Sequence, residues 1–192
     1  MLLGSEQRYH GLGAGMRINV VGTSGSGKST FAKSIAQEYR VPYVQLDELH
    51  WKPNWEESSD EEFFPKVEKA LLSDSWILDG NYKRTIPIKW KRVQMVVYLD
   101  LPFHIVLYRI VKRSFLRGIT KEELWHGNRE TVWKHFFTSD SMILWTLRTF
   151  HKNRKKYTEL FAREEYSHIK FVRLRNKREV ESFITTKLRS MW

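Results

Sequence analysis

A chain of 192 residues fits one domain with room for an insertion, and its lack of cysteine excludes a disulfide scaffold, a thiolate zinc site and a cysteine nucleophile. The longest apolar runs, such as residues 95–99, fall far short of the ~20 residues a membrane span needs, and residues 1–15 lack the apolar stretch of a secretory signal; the expectation is a soluble, cytoplasmic globular protein with no membrane partner. The formal charge of +11 lies wholly in the second half, with 13 Lys+Arg against 13 Asp+Glu in residues 1–100 and 20 against 9 in residues 101–192, which invites an anionic partner such as nucleotide phosphates or nucleic acid.

Residues 1–15 read as a flexible leader or upstream remnant, and residues 16–192 as a single domain. Residues 18–21 form a short apolar run closed by Gly22, which suits a strand. Residues 28–39 place Phe31, Ala32, Ile35, Ala36 and Tyr39 on one stripe at helical spacing. Residues 43–46 are a second candidate strand. Ser59 with Glu62 has capping-box form and opens a helix whose Phe63, Phe64, Val67 and Leu71 share a face. Residues 76–78 and 93–99 read as the third and fourth strands, the latter apolar enough to be buried on both faces. A helix is expected near 103–115, with Ile105, Val106, Ile110 and Val111 facing the core.

Residues 118–163 interrupt this alternation. They hold a second capping box at 120–123 and aromatics at helical spacing, namely Trp125, Trp133, Phe136, Phe137 and Trp145, but no strand. The alternation resumes with a strand over 169–174 and a terminal helix capped by Asn176. Five strands separated by helices imply right-handed crossovers and a parallel sheet covered on both faces, with a helical insertion over about 116–163.

Gly22-Thr23-Ser24-Gly25-Ser26-Gly27-Lys28-Ser29 fits the pattern GxxxxGK[ST]. Glycines let the backbone curl so that its N–H groups make an anion nest, and the start of the next helix adds the positive end of its dipole. Lys28 can reach the β- and γ-phosphates of a nucleotide, the Ser29 hydroxyl can ligate Mg²⁺, and Thr30 completes the candidate stretch. The expected fold is therefore a three-layer α/β/α P-loop NTPase, with ATP and Mg²⁺ as cofactors.

In an open α/β sheet ligands gather beyond the carboxyl ends of the strands, where Asp47, Asp79 and Asp100 lie. Asp79 can hold a Mg²⁺-bound water or orient an acceptor hydroxyl, and Asp47 can act as base or bind the acceptor. An Asx-turn or helix cap is the alternative for both. Asp100 is expected to cap the next helix. His50, Trp51 and Trp55 are candidates to line an acceptor pocket, with core packing as the alternative.

Together these residues resemble the nucleoside monophosphate kinase group. Asp79-Gly80 is similar to the Asp-Gly after the third strand of adenylate kinases, and Asp100-x-Pro102 followed by Arg109 and Arg113 matches the spacing before their lid. The resemblance implies Arg109 over the nucleotide base and Arg113 on the transferring phosphates. A closer likeness, over about 17–188, is to small adenylate-kinase-like proteins labelled DNA topology modulation proteins. It rests on Leu46-Asp47-x-Leu49-x-Trp51-x-Pro53-x-Trp55, Trp76-Ile77-x-Asp79-Gly80-Asn81-Tyr82 and the basic run 148–156. It implies sheet order 2-3-1-4-5 and ATP binding. Unlike adenylate kinases, the stretch 47–64 has no arginine and only Lys52 among six further acids, and no zinc-lid cysteines exist.

The leading expectation is an ATP-dependent phosphotransferase acting on a small hydroxyl-bearing acceptor. Lys28, Asp47, Asp79 and Arg113 form its machinery, and Arg117, Arg129, Arg148 or Arg154 come from a lid. The alternatives are a nucleotide-regulated nucleic-acid binder and a non-catalytic ATP-binding module. If the second-half arginines converge on residues 22–29, phosphoryl transfer is favoured; a stripe on the far face would favour nucleic acid.

Overall fold

The two most apolar runs of the sequence become the centre of a parallel sheet. The structure, a computed structural model, describes residues 15–120, 123–128, 142–188 and 190. Its strands are β1 Arg17–Gly22, β2 Tyr43–Gln45, β3 Trp76–Asp79, β4 Met95–Leu99 and β5 Lys170–Leu174. They lie in the expected order β2-β3-β1-β4-β5, all parallel. The register sets Asp79 beside Val20 on one side and Gln45 on the other, so the ends of β1, β2 and β3 open onto one edge.

Helices α1 Lys28–Tyr39 and α7 Lys177–Ser182, the latter continued by a π-helical turn Phe183–Leu188, cover one face. There Phe31, Ile35, Tyr39 and Phe183 pack on Ile18, Val20 and Val97. Helices α3 Asp60–Ala70, α4 Ile86–Lys89 and α6 Met142–Phe161 cover the other, where Phe63, Val67, Trp90, Tyr157 and Leu160 meet Val21, Leu78 and Val96. Each fully buried aliphatic or aromatic side chain in these layers stabilises the fold by about 1.5–3 kcal/mol. The Ser59–Glu62 capping box forms at the start of α3 as expected. Helix α5 Phe103–Thr120 leaves the sheet after β4, and a small cluster of Val106, Ile110 and Phe150 ties it to α6.

The structure departs from the expected boundaries in places that matter for the site. Strand β2 stops at Gln45, and Leu46 begins a short helix, α2 Leu46–His50. Leu46 is fully buried and lies so close to Gly80 that a Cβ there would be 2.7 Å from it. Strand β3 extends one residue to include Asp79, and α5 runs five residues further than expected. Trp125 lies in a 3-10 turn, Trp125–Gly127, not in a helix. Residues 1–14, Lys121 and Glu122 of the second capping box, Arg129, Trp133, Phe136, Phe137 and the side chain of Trp145 lie outside the described residues.

Candidate functional site

Strand β1 delivers residues 22–29 to the open edge of the sheet. The Ser26 N–H donates to the Thr23 carbonyl at 3.0 Å, and Gly25 and Gly27 take φ values of +80° and +90°, so the chain reverses and α1 starts at Lys28. Both are left-handed conformations that cost an ordinary side chain about 1–2 kcal/mol. Gly25 has a second constraint: a Cβ would lie 2.5 Å from Ile110 and 2.9 Å from the Val106 carbonyl. The loop therefore rests directly on α5. The first N–H groups of α1 have no partner within the helix and leave a positive end beside the loop.

Two arginines of α5 reach the same loop. Arg109 Nη1 donates to the Ser26 carbonyl at 3.1 Å, and Arg113 Nη2 donates to Ser24 Oγ at 2.8 Å. With Lys112, Leu116 and Arg117 they line a groove along α5. Thr23, Ser24 and Ser26 are buried, while Thr30 is exposed on the first turn of α1. Among the described residues, Ser26 Oγ is a buried hydroxyl with no hydrogen-bond partner.

Asp79 is buried at the end of β3. Its Oδ2 accepts from the Tyr43 hydroxyl at 3.1 Å, and its Oδ1 is buried without a partner. Burial pushes its pKa up, while the Lys28 charge and the Ser29 hydroxyl beside it pull the other way. Asp47 is the second residue of α2, not the end of a strand, and its Oδ1 accepts from the Tyr82 hydroxyl at 2.9 Å. Burial, reinforced by the neighbouring carboxylates, pushes both tyrosines above the ordinary phenol range, so they remain donors at neutral pH. The structure thus gathers Lys28, Ser29, Asp47 and Asp79 at one place.

Among the described residues no trio of histidine, aspartate and glutamate gathers at metal-ligand spacing. A divalent cation here would rely on phosphate oxygens and water for most of its ligands. The unpartnered Asp79 oxygen next to the Ser29 hydroxyl fits that kind of site.

The aromatic candidates divide. His50 is 3% exposed, enclosed by the rings of Trp51, Phe63 and Tyr82, with Arg84 Nη2 at 2.9 Å from its Nδ1. Burial and then the Arg84 charge hold its pKa below the ordinary imidazole value. Its ring is thus packed among aromatic side chains. Trp51 and Trp55 are half-buried and meet edge to face at 5.5 Å. The short turn at 123–128 docks on this region: Trp125 Nε1 donates to Gln45 at 3.0 Å, and Asn128 both accepts from the Trp55 N–H at 2.9 Å and donates to the Lys52 carbonyl at 2.8 Å.

Three features escape the sequence. Asn81 grips Gly22 by both backbone groups, accepting from its N–H at 2.9 Å and donating to its carbonyl, and the Tyr157 hydroxyl of α6 reaches the same Asn81 oxygen at 3.3 Å. Arg84 carries a guanidinium into the arginine-free stretch 47–64, pairing with Asp60 at 2.7 Å and lying over Phe63. Asp100, expected as a helix cap, instead binds Arg154 at 2.9 Å and Arg173 at 2.5 and 2.8 Å, because α5 begins only at Phe103. That contact also turns Arg154 toward Asp100. Of the sequence signals, only the string Asp79-Gly80-Asn81-Tyr82 pointed at any of these.

No protein-family model and no curated protein matches the chain. Its likeness is to solved structures of kinases. A gluconokinase from Sinorhizobium meliloti 1021 is 15% identical with a TM-score of 0.51, over 93% of this chain and 95% of that one. A shikimate kinase from Bacteroides thetaiotaomicron is 14% identical with a TM-score of 0.52, over 92% and 97%. A shikimate kinase from Aquifex aeolicus is 15% identical with a TM-score of 0.52, over 92% and 96%. At these identities the likeness shows the fold alone, a five-stranded parallel sheet between two layers of helices. Among the described residues no helix is long and apolar enough to cross a membrane.

Proposed function

We propose that the protein is an ATP-dependent phosphotransferase that moves the γ-phosphoryl group to a small hydroxyl-bearing acceptor. The observation that carries this reading is the convergence of Arg109 and Arg113 from α5 on the loop that also presents Lys28 and Ser29. The fold of P-loop kinases agrees with it. So does the resemblance to adenylate-kinase-like proteins, which leaves the acceptor open.

In this reading residues 22–30 bind the triphosphate, and Lys28 and Arg113 neutralise charge that develops on the transferring group. Mg²⁺, held by Ser29 and through water by Asp79, would supply further charge neutralisation between the phosphates. Asp47 orients the acceptor hydroxyl and takes its proton, and the Tyr82 hydroxyl fixes the carboxylate that does so. Trp51 and Trp55 wall the acceptor side. A lid within about 116–163 would exclude water, which separates a kinase from an ATPase, although Tyr157 and Leu160 hold the second half of that segment, α6, against the sheet. Arginines directed at the loop, not away from it, favour phosphoryl transfer over nucleic-acid binding.

The test is acceptor-dependent ADP release across a panel of nucleosides, nucleotides and hydroxylated metabolites. The reading expects one chemical class to raise ADP release at least about 10-fold over the acceptor-free rate, and Asp47→Asn to lower that stimulated rate by about 10²-fold or more. A flat response across the panel would overturn it.

A further inference from the structure

A short turn from the second half of the chain grips the acceptor side. Its own backbone closes it: the Leu124 N–H donates to the Asn128 carbonyl at 2.6 Å, and the Asn128 N–H donates to the Trp125 carbonyl at 3.2 Å. Four side-chain hydrogen bonds then join it to residues 73 to 80 positions earlier. Trp125 Nε1 donates to Gln45 at 3.0 Å, and His126 Nε2 donates to the Glu48 carbonyl at 3.0 Å. Asn128 accepts from the Trp55 N–H at 2.9 Å and donates to the Lys52 carbonyl at 2.8 Å. Asn128 is buried, so water does not readily replace either partner, and losing one is costly.

The places gripped are those that aim Asp47. Gln45 precedes α2, Glu48 lies within it, and Lys52 and Trp55 lie in the segment that leaves it. A helix of five residues has little stability of its own, so its direction is set by what holds it. Gln45 is also in register with Asp79, which brings the grip to the carboxyl edge of the sheet. The turn follows shortly after α5, the helix whose Arg109 and Arg113 hold the loop at 22–29. One run of sequence, 109–128, thus reaches the phosphate side at its start and the acceptor side at its end. Strain marks the same contact. Among the described residues four other than glycine have positive φ, and three of them are here: Asn54 at 62°, Trp55 at 59° and His126 at 57°. Left-handed backbone disfavours these side chains and persists only where surrounding contacts over-determine it, as happens where a site must keep a fixed shape.

We propose that Trp125 and Asn128 are positioning residues of the phosphotransfer, fixing α2 so that the Asp47 carboxylate meets the acceptor hydroxyl. This deepens the phosphotransfer reading and rests on it. Tyr82 holds the carboxylate, and the turn holds the backbone that carries it. Both residues act through α2, not on the reacting atoms. A misplacement of about 1 Å can slow a reaction by about 10²-fold, so so small a turn has a large lever.

The experiment uses the full chain as wild type, Asn128→Ala, Trp125→Phe, Asp47→Asn and the two double variants that add Asp47→Asn. Asn128→Ala leaves the Trp55 N–H and the Lys52 carbonyl unpaired; Trp125→Phe keeps a ring and removes only the donor to Gln45, so it decides the matter should Asn128→Ala fail to fold. Mg-ADP affinity is measured by calorimetry, ADP release with the most stimulating member of the acceptor panel, and hydrogen exchange over residues 46–55. Both single variants are expected to keep Mg-ADP affinity and the KM for Mg-ATP within about 2-fold, while kcat falls at least about 10-fold in Asn128→Ala and about 3-fold in Trp125→Phe. Amides of 46–55 exchange at least about 10-fold faster than in wild type, relative to those of β4. With Asp47→Asn in place, either substitution costs less than about 2-fold more, because the group it positions is gone.

Unchanged kcat in a folded variant overturns the proposal. So does the same fold-loss with and without Asp47, which is what a merely structural residue would give, and so does unchanged exchange over 46–55. A flat acceptor panel or no Mg-ADP binding in wild type overturns the phosphotransfer reading itself; that result is read on wild type alone, so the two failures are distinct.

Discussion

Lys89 offers a test of the structure that does not depend on any ligand. Lys89 is 1% exposed, and its ammonium has the Gly80 carbonyl as its one hydrogen-bond partner among the described residues and lies near the charge of Lys156. Burial first, and then Lys156, lowers its pKa from the ordinary 10.5 to about 7. In the unfolded chain the same lysine holds its proton until about pH 10.5, so across the interval between these values unfolding takes up a proton. Stability therefore rises with pH through that window, by up to about 1.4 kcal/mol per pH unit, and is lowest at and below its acid end. Between pH 7 and pH 9.5 the gain amounts to roughly 3 kcal/mol. Lys156, shifted in the same direction, adds to it. The buried tyrosines act with the opposite sign above pH 10, where the unfolded phenols ionise, which is why the interval stops short of that point. The assay is urea unfolding of wild type and Lys89→Met at half-unit intervals. Wild type should gain stability towards alkaline pH, and the variant should be more stable at pH 7 and keep only the smaller rise that Lys156 contributes. A wild-type curve as flat as the variant's would refute the placement of a buried ammonium under Gly80.

Asn81→Ala strips two partners from Gly22, and leaving a buried backbone N–H and carbonyl unpaired costs about 1–3 kcal/mol each. A loss of roughly 2–5 kcal/mol in urea unfolding is expected, with Mg-ADP affinity falling at least about 10-fold; unchanged affinity in a folded variant would break the link between Asn81 and the loop. Gly25→Ala combines left-handed strain with a clash on Ile110, and a similar loss of roughly 2–5 kcal/mol is expected, read by the urea midpoint. Asp100→Ala leaves Arg154 and Arg173 beside β4 without their carboxylate; a melting temperature lowered by several degrees is expected, and no change would show the pair to be dispensable.

The parts of the fold that could be read from sequence are those written in local pattern. The apolar runs of β1 and β4, the stripe of α1, the Ser59–Glu62 capping box and the glycine-rich loop 22–29 each need only a short window of residues. Sheet order came from resemblance, because periodicity alone does not say which strands are neighbours. What stayed hidden depends on contacts between distant residues. Asn81 meets Gly22 across 59 positions, and Asp100 meets Arg173 across 73. Leu46 continues the apolar pattern of β2 and reads as strand, but it opens α2 and packs against Gly80, a contact 34 positions away in the chain. His50 beside two tryptophans suggested a pocket wall, yet the ring of Phe63 and the guanidinium of Arg84 enclose it. Lys89 carried no sequence signal, since nothing near it in the chain marks a buried lysine.

The most direct test of the account is an equilibrium titration of Mg-ATP into wild type and Lys28→Ala, with the circular dichroism of both recorded beforehand. The account predicts saturable binding of one nucleotide per chain by wild type and at least about 10-fold weaker binding by the variant, both equally folded, because the variant loses only the ammonium at the phosphates. Equal affinity of the two chains, or no binding by wild type, would contradict the claim that residues 22–29 hold a polyphosphate.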